Sequence, residues 1–207
     1  MTVHATRSRL LRNARVLRRA DEIVDAAARV FADRGYHGAS TQAIADVLGM
    51  RQASLYYYFP SKEAALELVC EKGVDGFLER AEAICALREP PLARLGQLIR
   101  SHLLPAVEKP DYVRVFVNER RYLPKAARRR ISRKSRAIEG CFVRTLEAGI
   151  ADGSIARRVD VRQTVLLILG MCNSVINWPE EDRAEIERTA RHIADLCLGG
   201  LSAKGKG

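Results

Sequence analysis

Between Ser40 and Glu63 the chain reads STQAIADVLGMRQASLYYYFPSKE, and this stretch constrains the fold more than any other. A hydroxyl at Ser40 or Thr41 can accept from the orphan N–H groups of a helix start, and Ile44, Val47 and Leu48 then repeat at i, i+3 and i+4. The spacing predicts a short helix with one apolar edge. Gly49 follows the last apolar residue, where a left-handed residue ends a helix at least cost. A second short helix is expected over about Gln52 to Tyr58, with Leu55 and Phe59 turned inward and Arg51, Gln52, Ser54, Tyr57 and Tyr58 outward. Two short helices across a tight turn, the second rich in outward hydrogen-bonding groups, have the layout of a helix-turn-helix. In that motif the second helix enters the major groove of DNA while the first crosses the backbone.

The flanks read as helices throughout. Ile23, Ala27, Val30 and Phe31 mark an amphipathic helix from about Arg19 to Gly35, which covers the two short ones. Ser61 caps a fourth helix running to about Arg80, with Leu66, Val69, Gly73 and Phe77 as its apolar seam and Glu63 in its first turn. Lys62 opposes the dipole there at a cost of ~0.3–1 kcal/mol, so it is either paired, with a bound phosphate as a suitable partner, or simply solvated. Proline pairs and breaks then delimit helices over Leu92 to Val107, Asp111 to Tyr122, Pro124 to Ala151, Val161 to Asn177 and Arg183 to Leu198. No strand pattern or repeat is visible, so the expected fold is all-α.

Length and composition agree, since 207 residues with 47% apolar content can bury a real core. No apolar run reaches the ~18–20 residues a bilayer needs, and no signal-peptide core follows the N-terminus, so a cytoplasmic protein without a membrane span is expected. Cys70, Cys85, Cys141, Cys172 and Cys197 are odd in number and set among apolar residues, which reads as buried thiols. The four histidines make no metal-ligand spacing with each other or with a cysteine, so neither a metal nor another cofactor is expected.

The net charge of +10 is concentrated in two acid-free stretches, six arginines within residues 1–20 and nine basic groups within residues 120–136. Outside them acids outnumber bases, which points to polyanion contact at defined places. The first stretch reads as a basic arm, either solvated or touching DNA. The second has three readings: a solvated helix face, a site for an anionic effector, or a surface facing DNA. A Tyr58-x-x-x-Lys62 string imitates a dehydrogenase motif, but the nucleotide-binding β–α–β unit that chemistry needs is missing. No catalytic residues stand out, and the chain is not read as an enzyme.

The segment RVFADRGYHGASTQAIADVLGMRQASLYYYFPSKEAAL resembles the DNA-binding head of the tetracycline repressor (TetR) family of bacterial transcription regulators. The likeness rests on Phe31, Gly35, Tyr36, Thr41, Ile44, Ala45, Gly49, Leu55, Tyr56, Phe59, Lys62 and Glu63. It implies about nine helices, a three-helix head carrying the helix-turn-helix, and a helical body for ligand binding and dimerisation. The expected boundaries are a basic arm over 1–19, the head over 20–66, the body over 67–199 and a flexible tail over 200–207.

By position, the resemblance puts Thr41 and Gln42 at the DNA backbone, and Arg51, Gln52, Ala53 and Ser54 at bases and phosphates. Tyr56, Tyr57 and Lys62 would hold phosphates. Arg51 and Ala53 stand where serine and glycine are common in the family. The body is similar to a subset that often regulates lipid or sterol catabolism and senses acyl-CoA. For a pocket, the residues suggest Leu95, Phe116, Asn118, Arg120, Phe142, Leu169, Asn173 and Trp178. The expected partners are double-stranded operator DNA, a second copy of the chain and a small-molecule effector, with acyl-CoA as its class. The competing reading is a sequence-nonspecific nucleic-acid or anionic-membrane binder using the basic stretches.

Overall fold

A computed structural model of the chain describes residues 2–176, 178 and 183–203, with side chains from Leu17 onward. Ten α-helices and one 3-10 turn make up the described residues: α1 (Thr2–Gly38), α2 (Thr41–Val47), α3 (Gln52–Leu55), α4 (Lys62–Val74), α5 (Phe77–Cys85), α6 (Pro91–Glu108), α7 (Pro110–Glu119), the 3-10 turn η1 (Arg120–Tyr122), α8 (Lys125–Ala151), α9 (Val161–Val175) and α10 (Arg183–Leu201). The one β feature among them is an isolated bridge between Ile155 and Ser202. The all-α expectation stands.

Local chemistry explains most boundaries. Ser40, Ser61 and Asp160 accept at their helix starts from the N–H groups of Ala43, Ala64 and Gln163. Pro91 and Pro110 open α6 and α7, where a missing N–H costs nothing.

Three expectations need correction. The helix expected from Arg19 begins at Thr2, so the basic arm is a helical extension of α1, although the side chains of residues 2–16 lie outside the described ones. The long fourth helix is two helices, because α4 stops at Val74 and the chain turns through Asp75 and Gly76, the latter at φ 81°. Asp-Gly is a turn pair, but the apolar period through Val69, Gly73 and Phe77 runs across it and disguises the break. The helix expected to reach Asn177 ends at Val175, and Asn177 is outside the described residues.

Apolar burial forms two clusters. One joins Ile23 and Phe31 of α1, Ile44, Leu55, Phe59 and Leu66 to Tyr112 and Val115 of α7 and Ile131 of α8. The other joins Leu95, Leu98 and Ile99 of α6 to Phe142 and Leu146 of α8, Ile168 and Cys172 of α9, and Ile193 of α10. The core under α2 and α3 is therefore completed by helices far along the chain. The five cysteines are free, and burial pushes the thiols of Cys70 and Cys172 up to about 12, which keeps them protonated packing groups.

Candidate nucleic-acid interface and effector cavity

The turn between α2 and α3 is made as its sequence requires. Gly49 takes a left-handed φ of 59°, and the Met50 N–H closes back onto the Ala45 carbonyl at 3.0 Å. Leu55 and Phe59, 0% and 1% exposed, pin α3 and the turn after it to the core. The outer side is left to solvent: Arg51, Ala53, Tyr56 and Tyr57 are exposed, while Gln52 and Ser54 are half-buried. Tyr57 is 91% exposed, which folding does not require of so large a ring. Gln52 donates to the Thr41 hydroxyl at 2.6 Å, and Gln42 to the Asp46 carboxylate at 2.7 Å. The Gln52 bond hooks α3 to the first residue of α2 and fixes the mutual orientation of the two.

Thr41, Tyr56, Ser61 and Lys62 share an open hollow of about 350 Å³. The Lys62 ammonium donates to the carbonyls of Tyr36 at 2.8 Å and Ala39 at 3.0 Å, and stands 4.3 Å over the Tyr36 ring. Its first occupation is thus to staple the start of α4 to the end of α1, which is the pairing that a first-turn lysine requires.

Acids of α4 and its C-cap engage two of the nine basic groups in the second basic stretch. Arg130 pairs with Glu67 and Glu71, and Lys134 with Asp75 at 3.1 Å. Those two groups belong to an α4–α8 ionic seam and not to a free polyanion surface, and the nonspecific-binder reading gains no support from them. Arg120 is different, since it lines a cavity.

That cavity, about 250 Å³, lies among α4 to α9. Val74, Phe77, Phe116 and Leu169 give it apolar walls, and His102, Arg120, Glu139 and Asn173 are its main polar groups. The His102 imidazole meets the edges of the Phe77 and Phe142 rings at 5.4 and 6.1 Å and is hydrogen-bonded to Asn173. Burial pushes it down to about 4 against the opposing Asn173 bond, so near neutral pH it offers one donor and one acceptor without charge. The Arg120 guanidinium stands 4.9 Å over the Phe116 ring. An apolar space with a neutral imidazole–amide pair, a guanidinium and a carboxylate suits a small amphipathic molecule.

Residues 88–201 match the family described as "Tetracyclin repressor-like, C-terminal domain", and residues 23–69 match "Bacterial regulatory proteins, tetR family". The chain belongs to the TetR family. It is similar to the HTH-type transcriptional repressor KstR2 of Mycolicibacterium smegmatis, 26% identical over 89% of this chain and 91% of that one. The solved structure of the ketosteroid transcriptional regulator KstR2 of Mycobacterium tuberculosis shares the fold, with a TM-score of 0.83 at 23% identity, covering 89% of this chain and 95% of that one. AibR, solved in complex with isovaleryl coenzyme A and operator DNA, matches with a TM-score of 0.75 at 26% identity over 89% and 98% of the two chains.

In this TetR-family chain the structure gathers Thr41, Gln42, Arg51, Gln52, Ala53, Ser54, Tyr56, Tyr57 and Lys62 in α2, in α3 and the residues flanking it, and at the start of α4. Of the residues suggested for the pocket, Phe116, Arg120, Leu169 and Asn173 are on the cavity wall. Leu95 is sealed in the second core, and Phe142 is buried behind the wall against His102. Neither Asn118 nor Trp178 lines the cavity, and Trp178 lies exposed past the end of α9. Their apolar or polar type fits a pocket, but helical direction carries them elsewhere. Val74, Phe77, His102, Ser135 and Glu139 went unread. For His102 a signal existed: it follows Leu95 by seven residues, which places an imidazole on the apolar seam of α6.

Proposed function

We propose that this TetR-family chain is a homodimeric transcriptional repressor, not an enzyme, that reads a palindromic operator in the cytoplasm and is released by a small-molecule effector. Acyl-CoA thioesters are the effector class. The carrying observation is the course of α4, whose first residue, Lys62, is stapled into the reader and whose last, Val74, walls the cavity. A ligand in the cavity thereby presses on the helix that carries the reader.

In this reading Thr41 and Gln42 meet the backbone, Arg51, Gln52, Ala53 and Ser54 meet bases and phosphates, and Tyr56, Tyr57 and Lys62 hold phosphates. Arg51 adds a guanidinium fork suited to guanine or phosphate. One reader makes few base contacts, so specificity comes from two of them about one helical turn apart, ~34 Å, or a multiple of it. Leu166, Leu167 and Met171 of α9 and Leu196 of α10 leave an exposed apolar face that a second copy can cover. The functional division follows 20–66 for the reader and 67–199 for the body, with 1–19 as a basic arm and 200–207 as a tail.

A cavity of about 250 Å³ accommodates a short acyl group and not the nucleotide of CoA, which would lie outside it beside Arg120. The AibR complex with isovaleryl coenzyme A supports this effector class. Selection from random DNA tests the proposal: the full chain should enrich a two-fold symmetric sequence, and short- and medium-chain acyl-CoAs should weaken its binding at fixed salt. Enrichment of no sequence above the starting pool would contradict it.

A further inference from the structure

Helix α7 carries two faces with different duties. Val113, Phe116, Val117 and Arg120, at its end, fall within about a third of a turn and line the cavity. Tyr112, Val115 and Glu119 fall on the neighbouring face; the first two are buried in the reader's core. The Glu119 carboxylate accepts from the backbone N–H of Tyr36 at 2.9 Å, across 83 residues of sequence. Arg120 on the wall and Glu119 on the reader are adjacent residues, so α7 cannot turn or slide to accommodate a ligand without displacing that bond.

The receiving end is built for such a contact. Gly35 adopts φ 63° and ψ 173°, a conformation essentially reserved for glycine, and interrupts the helical path of α1. The Tyr36 N–H then needs a partner outside the helix, and Glu119 supplies it. Tyr36 itself ties the end of α1 to α4 and to η1. Its carbonyl accepts from Lys62, its hydroxyl donates to Glu63 at 2.6 Å, and its ring stacks on Tyr122 of η1 with centroids 5.1 Å apart. The Ala39 carbonyl, next to the cap of α2, accepts from the same Lys62 ammonium. Helices α4 and α7 also meet without slack, because a Cβ on Gly73 would lie 2.9 Å from the Tyr112 carbonyl oxygen.

We infer that Glu119 is the positioning residue through which a filled cavity moves the reader, by way of its bond to the Tyr36 amide, so that α7 acts on α1 and the start of α4 together. This rests on the effector reading above. Ligand affinity resides in Phe116, Arg120 and Asn173, whereas Glu119 sets how much of the ligand's binding energy reaches the DNA site. Removing Glu119 uncouples the two sites and leaves each one able to bind.

The test is a double-mutant cycle on the full chain, using a DNA sequence selected by the wild-type protein. Ser135 lines the cavity, and Ser135→Leu fills it without any ligand. Affinity for the selected DNA is measured for the wild type, S135L, E119A and the double variant, then repeated with octanoyl-CoA. E119Q, which keeps an acceptor, is the conservative control. Hydrogen exchange of the Tyr36 amide reports the bond itself.

In the wild-type background, filling the cavity should weaken DNA binding by about 5-fold or more, the lower range of coupled sites. In E119A the same change should weaken it less than about 2-fold, with E119Q in between, and Tyr36 exchange should become faster and insensitive to S135L. Equal weakening in the wild-type and E119A backgrounds would overturn the role of Glu119 while leaving the effector reading intact. A wild-type protein whose DNA affinity responds neither to S135L nor to octanoyl-CoA would overturn both. Should E119A fold poorly, the E119Q arm decides alone: its response to filling must be smaller than that of the wild type, and an undiminished response with faster Tyr36 exchange overturns the inference.

Discussion

The reader and the cavity are assembled in opposite ways. The groups that shape α2, α3 and the turn between them lie within one contiguous stretch: the Ser40 cap, the Gly49 turn, the Gln52–Thr41 bond and the Leu55 and Phe59 anchors. Distant helices complete the core beneath. The cavity is walled by residues scattered from Val74 to Ile176 and brought together by the packing of six helices, α4 to α9. A local device fails through one residue; a distributed one changes shape by degrees.

The largest effect expected from breaking the contrast is at Leu55, which is fully buried beneath α3. Leu55→Ala should cost about 3 kcal/mol in chemical denaturation and abolish binding to selected DNA, while ligand binding in the body persists at low temperature. Loss of both activities together would mean that reader and body do not fail separately.

The body can be probed by pH. His102 is held down to about 4 in the folded protein, against an ordinary value near 6.5. Between those values the unfolded chain binds the proton and the folded chain does not, so stability falls as pH drops from about 6.5 towards 4, by up to about 3 kcal/mol. His102→Asn, which keeps hydrogen-bonding capacity, should flatten that slope in denaturation midpoints. Glu63 belongs to a lower window: its carboxyl is held below its usual range chiefly by the Tyr36 hydroxyl, and its contribution is lost only as pH falls through the carboxylate range.

Lys62 tests whether the reader's frame or its charge matters more. Lys62→Met keeps the aliphatic stem but removes the bonds to the Tyr36 and Ala39 carbonyls. It should weaken all DNA sequences about 10-fold alike, with the log–log salt slope reduced by about one unit. An unchanged slope would assign the ammonium to the reader's frame alone. Smallest is Tyr36→Phe, which deletes an exposed bond to Glu63 and should shift the thermal midpoint by a few degrees at most, with DNA affinity within about 2-fold.

What was legible in the sequence follows the same division. Caps, prolines and helical period located the helices, and the outer face of α3 could be read because its anchors are neighbours in sequence. The break at Asp75–Gly76 was hidden by an apolar period that happens to span it. In the body, helical pattern could not separate Leu95, sealed in the core, from Leu169, on the cavity wall, because both are apolar residues on inward faces and only the packing of other helices distinguishes them. The salt bridges of Arg130 and Lys134 to α4 were equally invisible, since partners about 60 residues apart leave no local trace. Glu119 carried no helical signal for a bond to an amide near the other end of the chain.

If cavity and reader are thermodynamically linked, the linkage is reciprocal. Octanoyl-CoA affinity is measured for the free protein and for the protein saturated with its selected palindrome, under the same salt. DNA should weaken the thioester by the same factor as the thioester weakens DNA. Equal octanoyl-CoA affinity with and without DNA would contradict it.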